Sequence, residues 1–153
     1  MVTTYRIFKS KHSTSWHDGE GAFRYGGRWN SRGTRLLYTS GSLSLAAVEM
    51  LVNLNSEELL YSYSYATVEF DESLILPVEK FRKLTANWNA SPPPIDVQRI
   101  GDDWAMSARS PVLKVPSAAI PIESNYLINI GHEQFTSFRL GMPTAFTFDS
   151  RLR

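Results

Sequence analysis

An α+β fold in which strand outweighs helix is predicted by three observations. Residues 43–54 carry a single apolar helical stripe. Tyr61 to Phe70 alternates with a period of two, as a half-buried strand does. Elsewhere, short runs of strand-forming residues are broken by Gly, Pro, Asn and Ser, the residues of turns.

The elements follow in order. Residues 4–9 read as a short strand, and residues 10–27, rich in Gly, Ser, His and Asp, as a long loop. Loops of that length in a compact domain are often functional. Residues 28–30 re-enter a strand, with Arg28 and Asn30 on one face and Trp29 on the other. Leu36 to Ser40 form the next strand, with Tyr38 and Ser40 on one side. Ser42 is an N-cap for a helix from Leu43 to Leu54, whose stripe is Leu43, Ala46, Ala47, Met50, Leu51 and Leu54. A helix this apolar is expected to be buried on most sides. Glu49 and Asn53 stand one turn apart on it.

Pro92-Pro93-Pro94 is a stiff extended spacer and not a boundary, because neither flank is long enough to hold its own core. Residues 95–109 are weakly helical. Val112 to Val115 form a strand ending at Pro116-Ser117, and Ala118 to Ile122 continue extended. Residues 136–140 and 145–149 form a closing hairpin about Gly141-Met142-Pro143.

Composition narrows the function. A chain of 153 residues, 42% hydrophobic, fits one domain with a real core. The net charge of +1 and the lack of a dense basic block disfavour a binder of nucleic-acid backbone. The absence of cysteine excludes disulfides, thiolate metal sites and a cysteine nucleophile. No apolar run is long enough to span a bilayer, and Met1 to Arg6 carry no apolar signal core, so a cytoplasmic chain is expected. His12, His17, Asp18 and Glu20 match no metal-ligand spacing, and no metal is expected. The Tyr61, Tyr63, Tyr65 ladder lacks interleaved Lys or Arg, so it reads as one packed face of a sheet.

The richest stretch is Gly26-Gly27-Arg28-Trp29-Asn30-Ser31, then Tyr38-Thr39-Ser40, then Glu49. It sets a guanidinium, a phenol and a carboxylate on three successive elements, which points to a pocket for an anionic ligand with an acid or base in it. Each residue also has a plain structural reading. Arg28 is a phosphate ligand, or a surface arginine stacked on Trp29 or paired with a carboxylate. Tyr38 flanks a bound ring, or is a core tyrosine with its hydroxyl satisfied. Glu49 is catalytic, or a buried carboxylate paired with Arg6 or Arg28. Ser117 follows a strand and a proline without a glycine elbow, so it is a polar ligand contact and not a nucleophile. Asn125, in Ser124-Asn125-Tyr126, contacts a ligand or makes an Asx turn.

The ordered set resembles the RES domain family, the toxin half of bacterial RES–Xre toxin–antitoxin pairs. Its members are Tyr5-Arg6-Ile7, Gly26 to Ser31 with Gly33, Tyr38-Thr39-Ser40, Ala47-Val48-Glu49, Gly101-Asp102-Asp103-Trp104, Val115-Pro116-Ser117, Ser124 to Asn129, and Phe148 to Leu152. The motifs cover nearly the whole chain. Two positions depart from the family pattern, where proline is expected in place of Ser150 and of Glu133. The resemblance implies one compact α+β domain over residues 1–153, with a mostly antiparallel sheet related to ADP-ribosyltransferases. It implies NAD as substrate and not as cofactor, cleaved at the nicotinamide–ribose bond by water or phosphate, or used to ADP-ribosylate a protein. It further implies an Xre-like helix-turn-helix antitoxin as partner, which would carry any operator binding. By the same resemblance Glu49, Arg28 and Tyr38 are the catalytic set. Arg6, Arg28, Tyr38, Ser117 and Asn125 are the NAD contacts. A toxin directed at RNA, or an inactive partner of a regulator, are the competing readings. The first lacks a basic groove and well-placed histidines, and the second sits poorly with an intact Arg28, Tyr38, Glu49 and Ser117.

Overall fold

The computed structural model describes residues 1–152 of the chain. Its spine is one curled sheet. The strands are β1 (Val2–Lys9), β2 (Leu37–Ser40), β3 (Tyr63–Phe70), β4 (Ile75–Pro77), β5 (Val112–Pro116), β6 (Ser124–Ile128), β7 (Arg139–Leu140) and β8 (Thr144–Phe146). They lie in the order β4-β5-β6-β2-β1-β3-β7, with β8 also on β3. Every pairing is antiparallel except β4 with β5. The expected α+β fold with a mostly antiparallel sheet is therefore found.

Alternation along the strands fills both faces. Leu36, Leu113, Val115 and Leu127 point to one side, where they pack with Trp104, Ile100 and Val97 of the helix Ile95–Ser107. Leu37, Val112 and Ile128 point to the other, where they meet Phe8, Trp16 and Phe70. The helix Leu43–Leu51 lies over β1 through Ala46 and Ile7, joined by Tyr63 and Phe148. The Tyr63 ring is packed in this cluster, with Tyr65 against it, whereas Tyr61 is 50% exposed.

The central sheet carries one opening. β1 and β2 pair at a single register position, Tyr5 opposite Ser40. Beyond it they part, and the Arg6 guanidinium enters the gap, donating from Nη1 to the Tyr38 carbonyl at 3.1 Å.

Several expectations need correction. Residues 10–27 are not all loop: Glu20–Tyr25 form a helix, α1. The Asp18 carboxylate accepts the Glu20 N–H at 3.0 Å, and Glu20 pairs with Arg24 one turn on. Residues 28–30 are a tight turn closed by a bridge between Gly27 and Asn30, not a strand. The helix beginning at Leu43 (α2) stops at Leu51, and only Leu45 and Ala46 on it are buried. It covers the sheet from outside and leaves Val52 exposed. The Ser42 cap is as expected, its hydroxyl accepting the Leu45 N–H at 3.1 Å.

Val78–Phe81 form a short helix (α3) after β4, neither of which the residue pattern signals, and Ile95–Ser107 is α4. Residues 118–123 turn back instead of continuing extended, because the Ser117 hydroxyl accepts the N–H groups of Ala119 and Ile120. That turn makes residues 124–128 a strand, so Asn125 lies in the sheet and not in an Asx turn. Residues 139–146 do not fold on themselves. Both β7 and β8 pair with β3, Leu140 opposite Val68 and Thr144 opposite Tyr65, so four steps along one strand face three along the other. The extra residue is a bulge at Gly141–Pro143, where proline has no N–H to give a ladder.

Candidate active site

The cleft of about 650 Å³ beside the β1–β2 gap collects four of the six expected residues: Arg6, Arg28, Tyr38 and Glu49. Ser117 and Asn125 stand directly behind Glu49. Ser117 is 0% exposed at the end of β5 and donates to Glu49 Oε1 at 2.5 Å. Asn125 Nδ2 donates to the same oxygen at 3.0 Å. Each donor is itself fixed. The Ser117 oxygen accepts backbone N–H groups at 3.0 and 3.2 Å, which directs its proton to the carboxylate. Ser40, opposite Asn125 in the sheet, donates to Asn125 Oδ1 at 2.7 Å and so fixes which end of the amide faces Glu49.

The carboxylate is therefore oriented from one side only. Among the described residues it forms no ion pair, so neither Arg6 nor Arg28 neutralises it. The structural alternative for Glu49, a paired buried carboxylate, does not hold. Its second oxygen is left for whatever occupies the cleft.

Arg28 is anchored through Nη1, which donates to the carbonyls of Ala90 at 2.7 Å and Trp88 at 3.2 Å. This leaves the rest of the fork for an anion. Neither structural alternative for Arg28 is found: the stack on Trp29 is made by Trp88 instead, at 6.0 Å between centroids, and Arg28 has no carboxylate partner among the described residues. Arg6 is held by carbonyls too, those of Tyr38 and Trp16. The enclosed guanidinium is pulled below its ordinary pKa by burial, which Asp18 partly offsets. The residue keeps some accessible surface, and that surface opens into the cleft. An enclosed cation whose hydrogen bonds go to neutral carbonyls attracts an anionic ligand.

Tyr38 divides its roles between ring and hydroxyl. The hydroxyl donates to Asn30 Oδ1 at 2.6 Å and accepts the Trp29 N–H at 3.0 Å, so it is spent on structure. Burial pushes the phenol well above its ordinary pKa, opposed by the Trp29 N–H. The ring still lines the cleft. Asn30, fully buried, donates Nδ2 to the carbonyls of Ala22, Ser31 and Thr34 and thereby shapes the turn that presents Arg28.

The glycines of that turn serve packing. A Cβ on Gly27 would stand 2.6 Å from the Tyr38 hydroxyl, and one on Gly101 of α4 would stand 1.7 Å from the Trp29 carbonyl oxygen. Asp102 completes the clamp by accepting from Ser31 N and Oγ at 3.0 and 2.6 Å.

Asn53, Asn89, Ser91 and Pro93 also line the cleft, and the residue pattern does not single them out as site residues. The proline tract is not only a spacer but one wall of the site. Its signal is the length of the irregular segment 82–94 before α4. His12, His17, Asp18 and Glu20 do not gather into a metal-holding group among the described residues. No helix among those residues is long and apolar enough to cross a membrane.

Comparison with known proteins places the chain in a family. The RES domain model matches residues 3–149. A protein of Yersinia enterocolitica named Toxin Res is 35% identical over 150 residues, covering 97% of this chain and 98% of its own. A protein of Sphingobium sp. named Prs ADP-ribosylating toxin is 32% identical over 136 residues, covering 88% and 84%. A chain of the M. tuberculosis MbcT-MbcA toxin-antitoxin complex superposes with a TM-score of 0.75 at 19% identity, over 99% of this chain and 86% of that one. At that identity the likeness is one of fold.

Proposed function

The chain belongs to the RES domain family, and we propose that it is the toxin of a toxin–antitoxin pair, consuming NAD by cleaving the nicotinamide–ribose bond. The observation that carries this reading is Glu49: a carboxylate held on one oxygen by Ser117 and Asn125, with no cation partner among the described residues, facing a cleft with two guanidinium groups. Such a cleft suits a ligand with a negative pyrophosphate and a reacting centre that becomes positive.

The chemistry follows from charge. When the bond between ribose C1′ and the nicotinamide nitrogen breaks, its electron pair goes to the ring nitrogen, and the cationic ring leaves neutral. Departure needs no proton. Positive charge builds on the ribose, and the free Glu49 oxygen stabilises it and holds a ribose hydroxyl. Ser117 and Asn125 act as positioning residues that fix the carboxylate before substrate arrives. Arg28 and Arg6 hold the pyrophosphate, and the Tyr38 ring flanks nicotinamide. Water or phosphate then bonds to C1′ through oxygen, and attacking water gives up a proton.

A second reading, transfer of ADP-ribose to a protein side chain, is favoured by the relative named an ADP-ribosylating toxin. The same bond breaks; only the acceptor differs. Two facts support an antitoxin partner: the relatives carry toxin names, and the fold neighbour was solved in a toxin-antitoxin complex. We assign the partner to the Xre-like, helix-turn-helix kind and the site of action to the cytoplasm, where NAD is available. Incubating the purified protein with NAD, with and without phosphate, tests the proposal. Free nicotinamide should appear in both, with ADP-ribose in one and its 1″-phosphate in the other if phosphate is the acceptor. NAD left intact under all conditions, with a candidate acceptor protein included, overturns it.

A further inference from the structure

Three residues on one face of α4, Gln98, Gly101 and Asp102, take hold of the turn that carries Arg28, and the mechanism above gives none of them a part. They stand at positions i, i+3 and i+4 and so share that face. Gln98 Nε2 donates to the Gly27 carbonyl at 2.9 Å, one residue before Arg28. The Asp102 carboxylate accepts the Ser31 N–H at 3.0 Å and the Ser31 hydroxyl at 2.6 Å, three residues after it. Between them, Gly101 lets the Trp29 carbonyl lie against the helix. Asp102 has no ion-pair partner among the described residues, so its acceptor oxygens serve this turn.

The head of Arg28 is held by the same stretch of chain. The carbonyls that fix its Nη1 belong to Trp88 and Ala90, and the chain runs from there through Pro94 into α4. Backbone and guanidinium are therefore both referred to one segment, residues 88–102. The turn has other support for its fold: Trp29 packs with Val97, Ile100 and Trp104, and Asn30 closes the turn from inside. What the bonds from Gln98 and Asp102 add is a fixed position of the backbone on either side of Arg28. A guanidinium fork that grips an anion through two donors needs its supports held to within about 0.5 Å.

We propose that Gln98 and Asp102 are positioning residues for anion binding, which act through Arg28 and touch no ligand themselves. Arg28 lines the cleft, and neither Gln98 nor Asp102 does. The inference rests on the reading of Arg28 as a pyrophosphate ligand, but its own observation is the pair of side-chain bonds to the backbone on either side of that arginine.

ADP binding by calorimetry, which needs no turnover, supplies the test. Gln98→Met removes the donor at nearly constant size, and Asp102→Ala removes both acceptors. Each variant should remain folded by circular dichroism and bind ADP about three- to tenfold more weakly, the worth of an ordinary hydrogen bond. Neither loss should exceed that of Arg28→Ala. In the Arg28→Ala background the same two substitutions should leave ADP affinity unchanged, because nothing remains to be positioned. Asp102→Asn, which keeps an oxygen for the Ser31 N–H, should recover most of the affinity. In NAD turnover the loss should fall on KM far more than on kcat. Wild-type ADP affinity in both single variants, an equal loss with and without Arg28, or an Asp102→Asn variant no better than Asp102→Ala overturns the positioning role. An Arg28→Ala variant that binds ADP as the wild type does overturns the pyrophosphate reading and the positioning role with it. If ADP binding behaves as stated but no NAD is consumed, the positioning role stands and the proposed reaction fails.

Discussion

Replacing Ser117 by Ala separates the role of a buried hydroxyl from that of the carboxylate it serves. The hydroxyl makes three bonds: it donates to Glu49 Oε1 at 2.5 Å and accepts from Ala119 and Ile120. Losing the first removes one of the two donors that hold the carboxylate. A hydrogen bond to a charged group is worth about 1.5–3 kcal/mol, which at about 1.4 kcal/mol per decade is roughly ten- to a hundredfold in rate. Losing the other two releases the N–H groups of Ala119, which is exposed, and Ile120, which is half-buried, at the ordinary net worth of a hydrogen bond, about 0.5–1.5 kcal/mol each. A domain stable by about 5–15 kcal/mol survives that at 25 °C. The expected result is a lower melting temperature together with a ten- to hundredfold fall in kcat for NAD, and a KM changed by less than threefold. Stopped assays of nicotinamide release on protein shown to be folded by circular dichroism give both numbers. Wild-type kcat per folded molecule would refute the positioning role. A change confined to KM would mean that Ser117 touches the substrate itself.

Three further outcomes follow from the same geometry. Arg28→Ala should raise KM by the worth of a charge-assisted phosphate contact, about 1.5–3 kcal/mol, and Arg28→Lys should recover only part, because an ammonium lacks the fork; equal kinetics for Lys and Arg would show that the contact is not bidentate. The Tyr38 phenol is pushed up in the folded state, so above about pH 10 the folded chain holds a proton that the unfolded chain releases, and stability falls as pH rises. Denaturation midpoints should drop on going above that pH in wild type and drop less in Tyr38→Phe; parallel curves would show that the phenol is not enclosed. Gly101→Ala forces a methyl group against the Trp29 carbonyl and should destabilise by about 3 kcal/mol or more, measured by urea unfolding.

Much of this site was legible in the residues because each signal was local. The Ser42 cap, the stripe from Leu43 and the placement of Tyr38 and Ser40 on one side of a strand all depend on neighbours a few positions away. The carboxylate stood out because an acidic group in an apolar helix has few explanations. What the sequence withheld depended on contacts distant along the chain. Asn125 looks like a turn residue, and it belongs to a strand only because Ser117, eight positions earlier, folds the chain back through its hydroxyl. Residues 28–30 have the pattern of a strand, but Asn30 spends its amide on three carbonyls and closes a turn. Residues 145–149 look like half of a hairpin, yet the strand that forms, Thr144–Phe146, pairs with the edge of β3 and not with residues 136–140. The parting of β1 and β2 leaves no local mark either. It is visible only as a single pair, Tyr5 with Ser40, and an arginine where a ladder bond would be.

Glu49→Gln is the decisive variant. It keeps the shape of the side chain and an oxygen able to accept from Ser117 and Asn125, and it removes the charge. Nicotinamide release from NAD should fall by on the order of a hundredfold or more, with ADP affinity and melting temperature near wild type. Purified Glu49→Gln protein that releases nicotinamide at the wild-type rate would contradict carboxylate stabilisation of the breaking bond.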